Sequence, residues 1–341
     1  METKKDYWQY IRGLCILAVI MIHSSSGQTL DFGSGFFYMF SVFRGIISFP
    51  VPVFFFLSGY FVNREKCLAD RRSYLIKRGK RLVIPYLFWS GVYLLVSFFT
   101  VGDELCLADY IVRLFTGMSA GHLYYMIVMI QLTVLTPYLL PFIKEKSVAL
   151  WLFTPAALVV TYIVGISRSY IPWSCDTLFP IWFVFYLMGL KLGNDSREVE
   201  RLFAVIGKPV FVLPALLLNV LEIIVLMRFD ITPDLAYSQN RLFSFIYSIA
   251  VIAYFYNRRE DHHPENRAIL WLGNHSYSLF LSHMLMLKLT DYAVVSPLGL
   301  GRVMSIIVLF AGTMIFSVIL VAVLDHILKR LRMIKIFKYF L

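Results

Sequence analysis

A histidine and an arginine share one apolar segment near the start of the chain. The run reads Tyr-Ile-Arg12-Gly-Leu-Cys-Ile-Leu-Ala-Val-Ile-Met-Ile-His23. At about 1.5 Å of rise per helical residue, the two groups lie roughly 16 Å apart along the axis. A neutral imidazole accepts a proton near physiological pH, so His23 suits general-base chemistry. Ionisable groups at membrane depth are expensive and usually functional, although a lone histidine is as readily explained as a hydrogen bond between packed helices. What favours chemistry is company at one depth. His283 lies about twelve residues, roughly 18 Å, into a late apolar segment that starts at Trp271. His122 opens another such segment at its outer end, and Glu222 sits about thirteen residues into a third. Glu222 could orient a histidine or take a hydrogen bond from a substrate hydroxyl, and it could equally pair with Arg228. Both readings stand at this point.

A second constellation is basic. Arg71-Arg72-Ser-Tyr-Leu-Ile-Lys77-Arg78-Gly79-Lys80-Arg81 is the densest cationic run of the chain. Guanidinium forks match phosphate oxygens, but such a loop can also simply set topology and attract anionic lipid. Its place directly below the first apolar segment is what gives phosphate binding its interest. Just before it, Ser58-Gly59-Tyr60 closes an aromatic run, and a Ser-Gly pair permits close helix approach. No Ser-His-Asp elbow, phosphate-binding glycine loop or zinc motif is present, so no metal is expected. The four cysteines, Cys15, Cys67, Cys106 and Cys175, show no metal spacing. Cys106 and Cys175 fall in segments placed outside, where a disulfide is open to them but unpaired thiols are the simpler reading.

These residues need elements to carry them. The chain is 59% hydrophobic and only 16% charged, with mean hydropathy +0.71, which excludes an ordinary soluble globule. Apolar runs predict an all-α, polytopic integral membrane helical bundle forming one domain over 1–341. About ten spans are expected, at 6–26, 45–62, 82–100, 122–142, 148–166, 178–192, 209–227, 241–257, 271–289 and 303–325. The first segment could pass for a secretory signal, but Arg12 interrupts it and no small-residue cleavage site follows, so it reads as an uncleaved span. With the N-terminus inside, 25 of the 32 Lys and Arg residues fall on the inner side and seven on the outer. That asymmetry follows the positive-inside rule and predicts both termini in the cytoplasm. The net charge of +11 therefore belongs to loops beside membrane lipid, not to nucleic-acid binding. Trp8, Trp89, Trp151, Trp173 and Trp271 lie near span ends and read as an interfacial belt.

Taken together the motifs resemble the acyltransferase-3 family, polytopic membrane enzymes that O-acylate cell-surface glycans and related acceptors. The likeness spans nearly all of the chain. It rests on Arg12 followed by ten residues and then His23, Phe55-Phe56-x-Ser58-Gly59-Tyr60, the Arg78-x-x-Arg81 pair, His122-Leu-Tyr-Tyr and Ser278-Leu-Phe-Leu-Ser-His283. Two positions depart from the common pattern: Tyr60 where phenylalanine is usual and Met284 where proline often follows the histidine. The resemblance implies an acyl-CoA donor, most simply acetyl-CoA, as substrate rather than resident cofactor, entering from the cytoplasmic face of the inner membrane. It matches Arg12, Arg78 and Arg81 to donor-binding positions, to which charge alone adds Lys77 and Lys80. It implies a hydroxyl acceptor on a polysaccharide or lipid-linked glycan, with His23 as general base or, in a variant, as an acylated intermediate. His122 and His283 would then hold the acceptor or steady the oxyanion, with Ser58, Tyr60 and Glu222 in supporting places. The rival reading is a transporter or flippase for a lipid-linked glycan whose buried histidines relay protons. That reading usually brings internal repeats, which this sequence lacks.

Overall fold

The computed structural model describes residues 2–26, 34–101, 106–143, 177–194, 196–229, 238–260 and 266–330, with positions 155, 156 and 159. Every regular element among them is helical. In order these are α1 (Glu2–Ser26), α2 (Gly35–Ile46), α3 (Pro50–Tyr60), α4 (Arg64–Ala69), α5 (Arg71–Val101), α6 (Leu107–Thr116) and α7 (Tyr124–Leu139). They continue as α8 (Phe179–Leu192), α9 (Arg197–Ile206), α10 (Pro209–Arg228), α11 (Leu242–Asn257), α12 (Arg267–Asn274), α13 (Ser276–Thr290) and α14 (Arg302–Arg330). A 3-10 turn, Gly121–Leu123, leads into α7, and α13 runs on through a π-helical turn, Asp291–Val295.

Among the described residues six helical stretches are long and apolar enough to cross a membrane: Gly35–Tyr60, Arg71–Thr100, Gly121–Phe142, Pro209–Arg228, Ser276–Leu298 and Arg302–Ile327. Phe179–Leu192 and Leu242–Asn257 are apolar but shorter. The expected spans at 82–100, 209–227 and 303–325 coincide with long helices. The one expected at 45–62 begins ten residues earlier and breaks before Pro50, whose ring and missing N–H suit the first turn of a new helix. The one expected at 271–289 is instead interrupted at His275, whose Nδ1 lies 2.9 Å from the Trp271 carbonyl. Apart from positions 155, 156 and 159, the expected span at 148–166 lies outside the described residues, as do Cys175, Trp151 and Trp173.

Helix α1 is the hub. It packs against α3, α12, α13 and α14, so Cys15, Ile16 and Ile20 are wholly buried. Its length of 25 residues would cross a bilayer, but its polar positions make it less apolar than the six stretches above. Neighbouring helices, not lipid, cover it. Trp8 and Trp89 are correspondingly buried, at 3% and 7% exposure, in the protein interior and not in an interfacial belt.

Two glycine contacts set the closest approaches. A methyl on Gly13 would meet the Ile269 carbonyl and one on Gly273 the Gln9 carbonyl, which seats α12 on α1. Likewise a methyl on Gly59 would strike the Tyr186 carbonyl and one on Gly189 the Phe56 carbonyl, so α3 and α8 touch backbone to backbone. Gly59 thus has the structural use that its Ser-Gly pair suggests. Replacing Gly189 with leucine should force these helices apart and cost about 1–3 kcal/mol. Thermal unfolding in detergent checks this. Gly91→Ala, on α5 with open space around it, should be neutral or slightly stabilising.

Candidate functional site

His23, His122 and His283 come from three elements, α1, the 3-10 turn before α7, and α13. Their rings nonetheless meet. Ring centroids are 5.1 Å apart for His23 and His283, 4.9 Å for His122 and His283, and 6.4 Å for His23 and His122. His283 is fully buried, and its Nδ1 lies 2.7 Å from the Phe280 carbonyl. A carbonyl only accepts, so Nδ1 carries the proton and Nε2 of the neutral ring holds the lone pair. That Nε2 and both ring nitrogens of His122 are buried without a protein partner. Buried polar atoms of this kind are rare and usually await a ligand, water or proton. Tyr93 sits beside His122, ring to ring at 5.3 Å, and donates its hydroxyl to the Leu281 carbonyl at 2.7 Å. This ties α5 to α13 just behind the cluster.

The cluster opens into a cavity of about 450 Å³ lined by His23, His122, Tyr124, Trp182, Gln239 and Asn240, among others. Tyr124 and Trp182 stack with centroids 5.8 Å apart. Arg44 also reaches this cavity and closes the end of α1, donating to the Ile22 carbonyl at 2.7 Å and to Ser26 Oγ at 2.8 Å. A second cavity, of about 470 Å³, is lined by Arg12, Ser58, Arg78, Arg81 and Gln9. Arg12 donates to Gln9 Oε1 at 3.3 Å and lies 5.3 Å over the Phe61 ring. Arg78 and Arg81, three residues apart, fall on one face of α5, and the Arg81 carbonyl accepts from the Tyr277 hydroxyl at 3.1 Å. The two cavities have Tyr125 and Phe280 in common.

Other expected residues lie elsewhere. Lys77 and Lys80 are exposed on α5 and line neither cavity. Tyr60 stacks on Phe56 at 5.7 Å and packs near Trp8 at 5.5 Å, away from the histidines. Glu222 sits at the start of α11. Its carboxylate lies 3.4 Å from the Arg241 guanidinium and accepts the Leu242 and Phe243 N–H groups at 3.2 and 3.1 Å. It therefore caps α11 from the neighbouring helix, satisfying donors that a helix start leaves open. Arg241, 1% exposed, is also held by the Ser238 and Asn219 carbonyls. Sequence reading gives no site role to Arg44, Trp182, Gln239 or Asn240. It quotes Tyr125 and Phe280 only within the His122-Leu-Tyr-Tyr and Ser278-Leu-Phe-Leu-Ser-His283 motifs, where the histidines carry the interest. Among the described residues no group of three or more His, Cys, Asp or Glu could hold a metal ion.

If Glu222 is a cap and not a catalyst, Glu222→Ala should lower stability by about 3 kcal/mol, because it takes the carboxylate from a buried arginine. Its effect on turnover per folded molecule should be small. Thermal unfolding together with activity normalised to folded protein separates the two roles.

With this geometry in hand, comparison with known proteins is informative. A family model described as an acyltransferase domain matches residues 5–322. A Bacillus subtilis (strain 168) protein, YfiQ, named as a membrane-bound acyltransferase, is 20% identical over 328 residues. The match covers 91% of this chain and 88% of that protein. No solved structure matches.

Proposed function

This chain belongs to the acyltransferase-3 family of membrane acyltransferases, and on that footing we propose that it moves an acetyl group from acetyl-CoA to a glycan hydroxyl. The observation that carries this reading is the pair of cavities set back to back. One holds three arginines and the other holds His23 and His122. CoA is anionic at one end and reactive at the other, separated by a long pantetheine arm. Phosphates among Arg12, Arg78 and Arg81 would make charge-assisted, forked hydrogen bonds. The arm then reaches toward the histidines, roughly 16 Å along α1 from Arg12.

His23 takes the proton of the acceptor hydroxyl as its oxygen attacks the thioester carbonyl. The new C–O bond forms, the C–S bond breaks, and the departing CoA thiolate receives the proton back from the imidazolium. His283, fixed by Phe280, supports His23, while His122 faces the developing oxyanion or the acceptor. Tyr124 and Trp182, lining one cavity together with the amides of Gln239 and Asn240, suit a sugar, which offers an apolar ring face and hydroxyl edges. The basic asymmetry of the loops supports an orientation with the arginine cavity toward the cytoplasm of the inner membrane and both chain ends inside. About ten spans fit that arrangement, the fifth at 148–166.

Labelled acetyl-CoA, supplied to membranes containing the protein, tests the reading. His23→Ala should lower transfer about 10²–10⁴-fold. Arg78→Ala with Arg81→Ala should raise the KM for acetyl-CoA at least about tenfold, since each hydrogen bond to a charged partner contributes about 1.5–3 kcal/mol. Undiminished acetylation by His23→Ala would remove the base from this assignment. An unchanged KM in the double variant would remove the phosphate site.

A further inference from the structure

The seam between the cavities is built from the same short segments that carry the histidines. Tyr125 stands three residues after His122, and Phe280 three residues before His283. Their rings lie 5.2 Å apart at 67°, edge to face and in contact. Each ring is braced by a further aromatic neighbour. Tyr125 packs on Phe55 at 4.7 Å, and Phe280 packs on His122 at 5.1 Å. The Phe280 backbone is further pinned because its carbonyl accepts from His283 Nδ1. Tyr125 and Phe280 are also the residues that line both spaces. The two spaces therefore meet at these two rings.

From this juxtaposition we infer that Tyr125 and Phe280 form an aromatic gate that selects the acyl donor by cross-section and keeps water from the thioester. The inference rests on the donor reading above and adds a property to it. Two rings in edge-to-face contact separate enough for a flat, thin acetyl thioester with a small displacement. A quaternary or aromatic acyl group needs a much wider opening, which the braces on both rings oppose. With the pantetheine arm lying between them, the rings still narrow the passage on both sides of it, so water in the arginine cavity does not reach the carbonyl poised beside His23. Water admitted there would take the place of the acceptor hydroxyl. Its oxygen would bond to the acyl carbon, the C–S bond would break, and the products would be free carboxylate and CoA.

The test uses the full-length protein in membranes and a donor series of equal charge: acetyl-, pivaloyl- and benzoyl-CoA. The unsubstituted enzyme should transfer acetyl at least tenfold more efficiently, by kcat/KM, than either bulky group. Phe280→Ala and Tyr125→Ala should each shift the benzoyl-to-acetyl ratio at least tenfold toward benzoyl. Both should also release CoA from acetyl-CoA in the absence of acceptor. A ratio is unaffected by the fraction of a variant that is folded, so poor folding cannot imitate this shift. Equal use of pivaloyl- and acetyl-CoA by the unsubstituted enzyme overturns the gate without any variant being needed. Unaltered ratios with no acceptor-free CoA release in the variants overturn it too, leaving the donor reading in place. No transfer from any acyl-CoA by the unsubstituted enzyme overturns both.

Discussion

A helix bearing Gln9, Arg12, His23 and three serines cannot lie against lipid without a large desolvation cost. The rest of the bundle is organised around removing that helix from lipid. Gly13 and Gly273 let α12 come down onto α1 until backbones touch, while α3, α13 and α14 complete the enclosure. Residues that face neighbours instead of hydrocarbon can remain polar. This is why an imidazole and a guanidinium persist on one membrane-length helix, and why each opens into its own cavity.

The enclosure also sets where the other groups fall. Because α13 packs on α1, His283 reaches His23, and because α7 starts at the same level, His122 completes the cluster. The tyrosine of α5 that touches His122 bonds the backbone of α13, so the helix carrying Arg78 and Arg81 is tied to the one carrying His283. Arginine and histidine spaces are thereby held in fixed relation, with two aromatic rings at their meeting point. The family relationship is consistent with this division: an acyltransferase has to admit two unlike substrates to one carbonyl.

Depth was legible in the sequence, and direction around a helix was not. Counting rise per residue brings His23, His122 and His283 to one level, where the structure also has them. The same arithmetic lifts Glu222 to that level, yet its carboxylate points to Arg241 and the start of α11. Charge density likewise ranks Lys77 and Lys80 with Arg78 and Arg81, but the lysines fall on the exposed side of α5 while the arginines turn to the cavity. Tryptophans near the ends of apolar runs read as an interfacial belt, whereas Trp8 and Trp89 are covered by other helices. Trp182 was invisible for a different reason, and Tyr125 and Phe280, though inside quoted motifs, had no role of their own for the same one. In a chain that is 17% aromatic no single ring stands out, and only tertiary packing shows which ones border a cavity. Gln239 and Asn240 lie between helices, where hydropathy carries no information about what a segment folds against.

Helix α5 has a length that bears on the energetics of the whole molecule. Its 31 residues extend about 46 Å, against a hydrocarbon layer of about 30 Å. The surplus of about 16 Å belongs naturally to its cationic first turns, which stand proud of the bilayer like a mooring post. Under the proposed donor reading, a highly charged cargo ties up there in the headgroup zone while only its neutral tether dips inward, so that charge and reactivity are handled in different solvents.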